Sequence, residues 1–250
     1  MRSALAQLFL PAECLLCHHL LPFARADDLV CPVCRHRWRA VRPPWCERCG
    51  QPEPHFGPCR LCAEWPREIE RVRSAVWLDG PARQAVHALK YAGLPRIAAD
   101  LAAVMARHLP DPDPGAVLVP VPLGARRLKH RGYNQSEVLA RALAARWGRR
   151  VRADLLSRVR ETATQTTLTP AARLANVAGA FRVRSAEVGV RSGVPGNNSA
   201  LRTSHSALIL IDDVFTTGAT IASAARALAH AGATRILAVT FGRAVIPDFT

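Results

Sequence analysis

Lysine is almost missing from this chain. Only Lys90 and Lys129 occur among its 34 basic residues, so arginine carries the positive charge. Cysteine is absent after Cys62, which excludes a disulfide framework from the remaining three-quarters of the chain. No apolar run approaches the roughly 20 residues that a membrane span needs. Met1 to Leu10 is only mildly apolar and does not resemble a signal peptide. The expectation is a cytoplasmic protein with no membrane insertion. No self-similarity of helical-array length is present, which argues against a solenoid.

What is there fits a globular chain. Its 250 residues, 49% hydrophobic and 21% charged, suffice for an α/β core and a small extra module. The net charge of +15 favours polyanions such as nucleic acid or phosphorylated ligands. An arginine-rich composition is also what a GC-rich coding sequence produces.

All eight cysteines fall into C-x-x-C pairs: Cys14/Cys17, Cys31/Cys34, Cys46/Cys49 and Cys59/Cys62. One such turn aims two thiolates at a tetrahedral metal, and two turns complete a four-cysteine site. In a cytoplasmic chain, zinc is favoured over disulfides. Sequential pairing predicts two sites, Cys14, Cys17, Cys31 and Cys34, then Cys46, Cys49, Cys59 and Cys62; interleaved pairing is the alternative. Thirteen and nine residues separate the pairs, spacings that suit zinc-ribbon knuckles. With every position taken by sulfur the zincs are structural, and His18, His36 and His55 are surface residues rather than ligands. Arg35, Arg37, Arg39 and Arg42 interleave with Trp38, a pattern that fits either a strand-binding surface or a solvated face.

The chain is organised around Ala207 to Leu228. Leu208 to Ile211 reads as a strand buried on both faces, hence part of a parallel sheet. Asp212 and Asp213 follow, then the hydroxyl-rich turn Thr216, Thr217, Gly218, Ala219, Thr220, then an Ala-rich helix. A helix start offers free N–H groups and the positive end of a dipole to phosphate. Carboxylates repel phosphate, so beside such a cradle they suit hydroxyls or a metal. Acids for a ribose diol and a cradle for its 5′-phosphate follow from that order. The pattern from Leu208 to Thr220 resembles the signature of type I phosphoribosyltransferases, which bind phosphoribosyl pyrophosphate (PRPP).

Elsewhere, Pro66 to Arg73 reads as a connection and Ser74 to Asp79 as a strand. Pro81 to Tyr91 and Arg96 to Leu109 read as helices. Ala116 to Val119 is the next strand, ended by Pro120 and Pro122. A basic loop, Leu123 to Gln135, then lies where an open α/β sheet has its ligand crevice, and Asn134 to Trp147 is helical. Val151 to Val159 is a short strand or arm. Arg158 to Pro170 is a polar arm that suits either a lid or an ordinary solvated connection, leading into a helix ended by Gly179-Ala180-Phe181. Ser185 to His205 reads as a flexible insertion, and Thr234 to Phe241 as the last strand.

Together these segments resemble the ComF/GntX family, whose members include competence proteins for DNA uptake. The resemblance rests on the C-x-x-C pairs, Leu89-Lys90-Tyr91, Val119-Pro120-Val121-Pro122-Leu123, Arg127, Arg131-Gly132-Tyr133-Asn134-Gln135, Thr164-Gln165, Leu168, Arg173, Asn176, Gly179-Ala180-Phe181 and Asp212 to Thr220. It implies a double zinc ribbon over residues 1–66 and, over residues 67–250, a phosphoribosyltransferase-like parallel sheet of about five strands flanked by helices. Asp212 and Asp213 would hold the ribose hydroxyls, and Thr216, Thr217, Gly218, Ala219 and Thr220 the 5′-phosphate. Arg126, Arg127 and Arg131 would approach pyrophosphate, with Gln165 and Arg173 on the lid. The implied partners are PRPP with Mg2+, single-stranded nucleic acid and proteins of the uptake machinery.

Two departures narrow the reaction. Purine-salvage relatives carry an acid where this chain has Thr216, and threonine does not exchange a proton near neutral pH. The nucleophilic cysteine that a glutaminase half needs at the extreme N-terminus is also missing. No general base is evident. The readings that remain are a PRPP-binding protein of DNA uptake and a phosphoribosyltransferase of unknown acceptor.

Overall fold

The computed structural model describes residues 11–52, 59–160, 179–184 and 207–244. Its centre is a four-stranded sheet in the order β1-β6-β5-β2, every pairing parallel. The strands are β1 (Ile69–Trp77), β2 (Val117–Pro120), β5 (Leu208–Phe215) and β6 (Ile236–Arg243). Between them run α2 (Gly80–Tyr91), α3 (Ala98–His108), α4 (Ala125–Arg131), α5 (Gln135–Trp147) and α6 (Ala219–His230). A short helix α1 (Pro32–His36) lies in the cysteine module, and β3 (Leu156–Arg158) pairs antiparallel with β4 (Phe181–Val183).

Both faces of the sheet are covered, as a parallel sheet requires. Ile209, Ile211, Leu237, Val239 and Phe241 pack with residues of α2, α3 and α5 on one face. Leu210, Ile236 and Ala238 pack with α6, Leu156 and Phe181 on the other. The cysteine module divides between these layers. Cys14, Cys31, Cys34 and Trp38 belong to the first cluster, and Cys49, Cys62 and Trp65 to the second. Its backbone also covers the edge of β1: Val41 N–H donates to Ala75 O, Trp77 N–H to Arg39 O and Val72 N–H to Arg48 O.

Several expectations change. β1 begins at Ile69, within the stretch read as a connection, because Ile69 and Val72 face inward while Glu70 and Arg71 stay outside. β2 includes Pro120, and the next residue, Val121, still donates its N–H to Ile211 O. A proline is tolerated because β2 lies at the end of the four-strand order. A fifth strand is reduced to one parallel bridge between Leu118 and Val151. The basic loop contains a helix, α4, closed by Gly132 at φ 80°. The arm holding Gln165 and Arg173 and the insertion at 185–205 lie outside the described residues, as does His55. Among the described residues, no helix is long and apolar enough to cross a membrane.

Candidate functional sites

The four-cysteine sets are the sequential ones: Cys14, Cys17, Cys31 and Cys34, and Cys46, Cys49, Cys59 and Cys62, each with all sulfurs within 4.8 Å of one another. None forms a disulfide. Sγ···Sγ separations of 3.7 Å (Cys17–Cys31), 3.8 Å (Cys46–Cys62) and 3.5 Å (Cys49–Cys59) match a tetrahedron of zinc–sulfur bonds, whose edge is about 3.8 Å. Burial and the neighbouring thiolates push the Cys62 thiol up to about 12, and Cys34 and Cys49 higher still. Four thiolates this close need a cation, and both sets fit structural zinc. His18 and His36 are exposed, as spare histidines should be.

Trp38 does not offer a stacking surface. It is 2% exposed and meets Phe241 edge-on at 5.1 Å. The alternation of arginine and tryptophan there reflects a short segment crossing the core boundary.

The acid pair sits near the carboxyl end of β5, under cover. Asp213 Oδ2 lies 2.5 Å from Lys90 Nζ, on the last turn of α2. Asp212 Oδ1 accepts from Ser136 Oγ at 2.9 Å and from the Asp213 N–H at 2.9 Å. Burial opposes charge on all three groups, and the outcome depends on partners. For Lys90, Asp213 outweighs burial and the ammonium is held above the ordinary lysine range. For Asp213, Lys90 likewise outweighs burial and its carboxyl is held below the usual value. Asp212 forms no ion pair among the described residues; burial and then Asp213 push it up to about 7.

The Arg131 to Gln135 run holds this arrangement together. Tyr133 donates its hydroxyl to Leu89 O, beside Lys90. Asn134 caps α5 by accepting the Ser136 N–H and donates Nδ2 to Val121 O, which fixes α5 to β2. Arg131 donates to Gln135 Oε1 and lies 5.3 Å over the exposed ring of Tyr91. Arg126 and Arg127 stand on α4, which follows β2. Because β2 and β5 are parallel neighbours, α4 and the turn at 216–220 lie at the same, carboxyl, end of the sheet.

The turn after β5 has the expected conformation. Gly218 takes φ 76° as the residue before α6. Thr217 is 4% exposed, and its Oγ1 has no hydrogen-bond partner. Thr216 and Thr220 are half-buried, whereas Gly218 and Ala219 are buried. Trp65 packs on Gly218: a β-carbon there would lie 2.2 Å from the indole Cζ2. Trp65 is held in turn by Arg48, which donates to the carbonyls of Cys62, Trp65, Pro66 and Ile69. Arg243, 2% exposed, donates to Cys49 O and Gln51 Oε1 and lies 4.4 Å over Phe215. The second metal set and the turn at 216–220 therefore share one packed layer.

Lys90 and Ser136 were not singled out as site residues by residue chemistry. One signal was available for Lys90: in a chain that uses arginine nearly everywhere, one of its two lysines stands beside the acids. Ser136 had no comparable signal, since its role depends on where α5 packs against β5.

The molecule thus joins two tetracysteine centres to a parallel α/β sheet with an acid–lysine pair and a helix-start turn at the carboxyl end of β5. Residues 5–63 match the double zinc ribbon domain. Over 241 residues, 92% of this chain and 96% of the relative, it is 34% identical to the DNA utilization protein YhgH of Salmonella typhi. It is 30% identical, with the same coverage, to the protein of that name from Escherichia coli. Competence protein ComFC of Bacillus subtilis is 26% identical over 218 residues, 83% of this chain and 81% of that protein. The chain belongs to the ComF/GntX family.

Proposed function

We propose that the protein acts in DNA uptake, in the cytoplasm, binding PRPP with Mg2+ at the carboxyl end of the sheet and single-stranded DNA through its basic surface. The observation that carries the PRPP reading is Thr217. Its hydroxyl is buried, has no partner and stands just ahead of a twelve-residue helix, four residues beyond Asp213. A 5′-phosphate supplies the acceptors such a turn needs. Asp212 and Asp213 then receive the ribose hydroxyls, with Thr216, Thr220 and the backbone of Gly218 and Ala219 completing the cradle. Arg126, Arg127 and Arg131 take the pyrophosphate side, and Gln165 and Arg173 belong to the closing arm. Bound Mg2+ would neutralise part of the pyrophosphate charge.

The DNA arm is supported by the net charge and by the names of the relatives, a DNA utilization protein and a competence protein. Residues 1–66 would form the ribbon module and 67–250 the sheet domain, with 185–205 an insertion. Proteins of the uptake machinery would be further partners.

Calorimetric titration of PRPP with Mg2+ into wild type and Asp212→Asn/Asp213→Asn tests the site. Binding by wild type that the variant loses supports it. A folded, zinc-loaded wild type that takes up no PRPP sinks it. Pyrophosphate release over time, measured on the same samples, decides whether turnover accompanies binding.

A further inference from the structure

A cavity of about 560 Å³ lies between the first cysteine set and the C-terminal half of α3, lined by Arg25, Arg35, Arg39, Arg42, Arg107 and His108 among others, with no Asp or Glu in its walls. It shares none of its lining residues with the acid pair or the phosphate turn. Three of its arginines are anchored from behind. Arg25 and Arg35 reach Asp28 at 3.7 and 2.6 Å, Arg35 also reaches Asp100 at 3.2 Å, and Arg39 reaches Asp79 at 2.7 Å. Arg42 and Arg107 are exposed and have no acid partner among the described residues.

Two further observations point to a ligand. His108, part-buried beside Arg107 and Arg42, is held below its ordinary pKa first by burial and then by those two cations. The guanidiniums of Arg42 and Arg107 thus stand together at this end of the cavity, whose walls hold no carboxylate. Trp38 also lines it, and the buried indole N–H has no acceptor. The Trp38 ring is locked in the core, so no nucleobase can stack on it. The walls offer cations and N–H donors, which suits anionic oxygens and is indifferent to sequence.

We propose that this groove, formed by the first zinc ribbon and α3, binds the phosphodiester backbone of single-stranded nucleic acid. The proposal rests on the reading above that nucleic acid is a partner, and adds where the strand lies: away from the PRPP site, with Arg42 and Arg107 as the free phosphate contacts.

The test is fluorescence anisotropy of a labelled oligothymidylate with the zinc-loaded full chain across a salt series. Wild type is compared with Arg42→Ala/Arg107→Ala and with Arg67→Ala/Arg83→Ala, an equal charge loss on exposed residues elsewhere. The groove variant is expected to lose about tenfold or more in affinity and to flatten the plot of log K against log salt by about 1.4, two contacts at ~0.7 each. The control variant should stay near wild type, and both should keep wild-type Tm and PRPP titration. Equal loss in both variants, or no loss in the groove variant, overturns the groove while leaving the DNA reading standing. Failure of wild type to bind the oligonucleotide overturns both, with the PRPP site judged separately. Calorimetry with inorganic pyrophosphate alone is the last arm: binding that the groove variant loses, without oligonucleotide binding by wild type, would assign the groove to a small phosphate and overturn the proposal.

Discussion

The indole of Trp65 occupies the space that a side chain at residue 218 would need, with Cζ2 2.2 Å from the β-carbon position. Trp65 follows Cys62 by three residues, so the second metal centre bears on the turn at Gly218 through one ring.

Gly218→Ala should therefore fail twice, through the clash and through a φ of 76° that an L side chain adopts at a cost. A loss of roughly 2 to 4 kcal/mol in urea unfolding is expected, together with loss of PRPP binding. Trp65→Ala/Gly218→Ala relieves only the clash, so a double-mutant cycle should show partial rescue. Additive losses would mean that the ring and the glycine are independent.

Lys90→Met leaves Asp213 buried with its ion-pair partner removed. The expected cost at pH 7 is about 3 to 5 kcal/mol, the usual range for breaking a buried pair from one side. Lys90→Met/Asp213→Asn should recover much of it. The depressed pKa of Asp213 stabilises the fold above the ordinary carboxylate value and is lost as the pH falls through its folded value, so the Lys90→Met deficit should shrink in acid. A deficit independent of pH would argue against the ion pair.

Asp212 has the opposite sign. Its carboxyl is pushed up to about 7 from an ordinary 3.8, so between those values the folded chain holds a proton that the unfolded chain has released. Stability from this group falls as pH rises through that window. Asp212→Asn keeps an acceptor for Ser136 and removes the charge, so it should raise Tm by several degrees at pH 8 and by little at pH 4. Thermal melts of the ligand-free proteins at both pH values check this; equal shifts would mean Asp212 is ionised throughout.

Zinc removal should disturb more than the ribbons, because the two centres contribute sulfur to opposite core layers. Cys49→Ser is expected to lower Tm of the whole chain and weaken PRPP binding, since Arg243 joins Cys49 O to the Phe215 ring. Metal content, near-ultraviolet circular dichroism and PRPP titration on one sample would report all three. Wild-type PRPP affinity after loss of the second zinc would show that the centres are uncoupled.

Short-range patterns were legible before the fold was known. The C-x-x-C spacing led to both metal sets, and the apolar run ahead of Asp212 led to β5, because a thiol pair and a twice-buried strand each have a local signature. The start of β1 was hidden, since Glu70, Arg71 and Arg73 read as connection until β6 pairs with Ile69 and Val72. The stacking reading of Trp38 failed for the same reason: exposure belongs to the packed molecule, and Phe241, far along the chain, covers that ring.

The amino-acid sequence by itself determined which residues can carry the chemistry: eight thiols in four turns, two adjacent acids after a buried strand, and a glycine and hydroxyls opening a helix. Those depend on spacing within a few residues. Only the tertiary structure decided their electrostatic state and their neighbours. Lys90 meets Asp213 across 123 positions and Ser136 meets Asp212 across 76, as helices pack on a parallel sheet; Lys90 then holds the Asp213 carboxyl below its usual value, while burial and Asp213 push Asp212 up to about 7. The separation of the basic groove from the turn at 216–220 is likewise a product of packing, because the two cysteine centres fold onto different faces of one sheet.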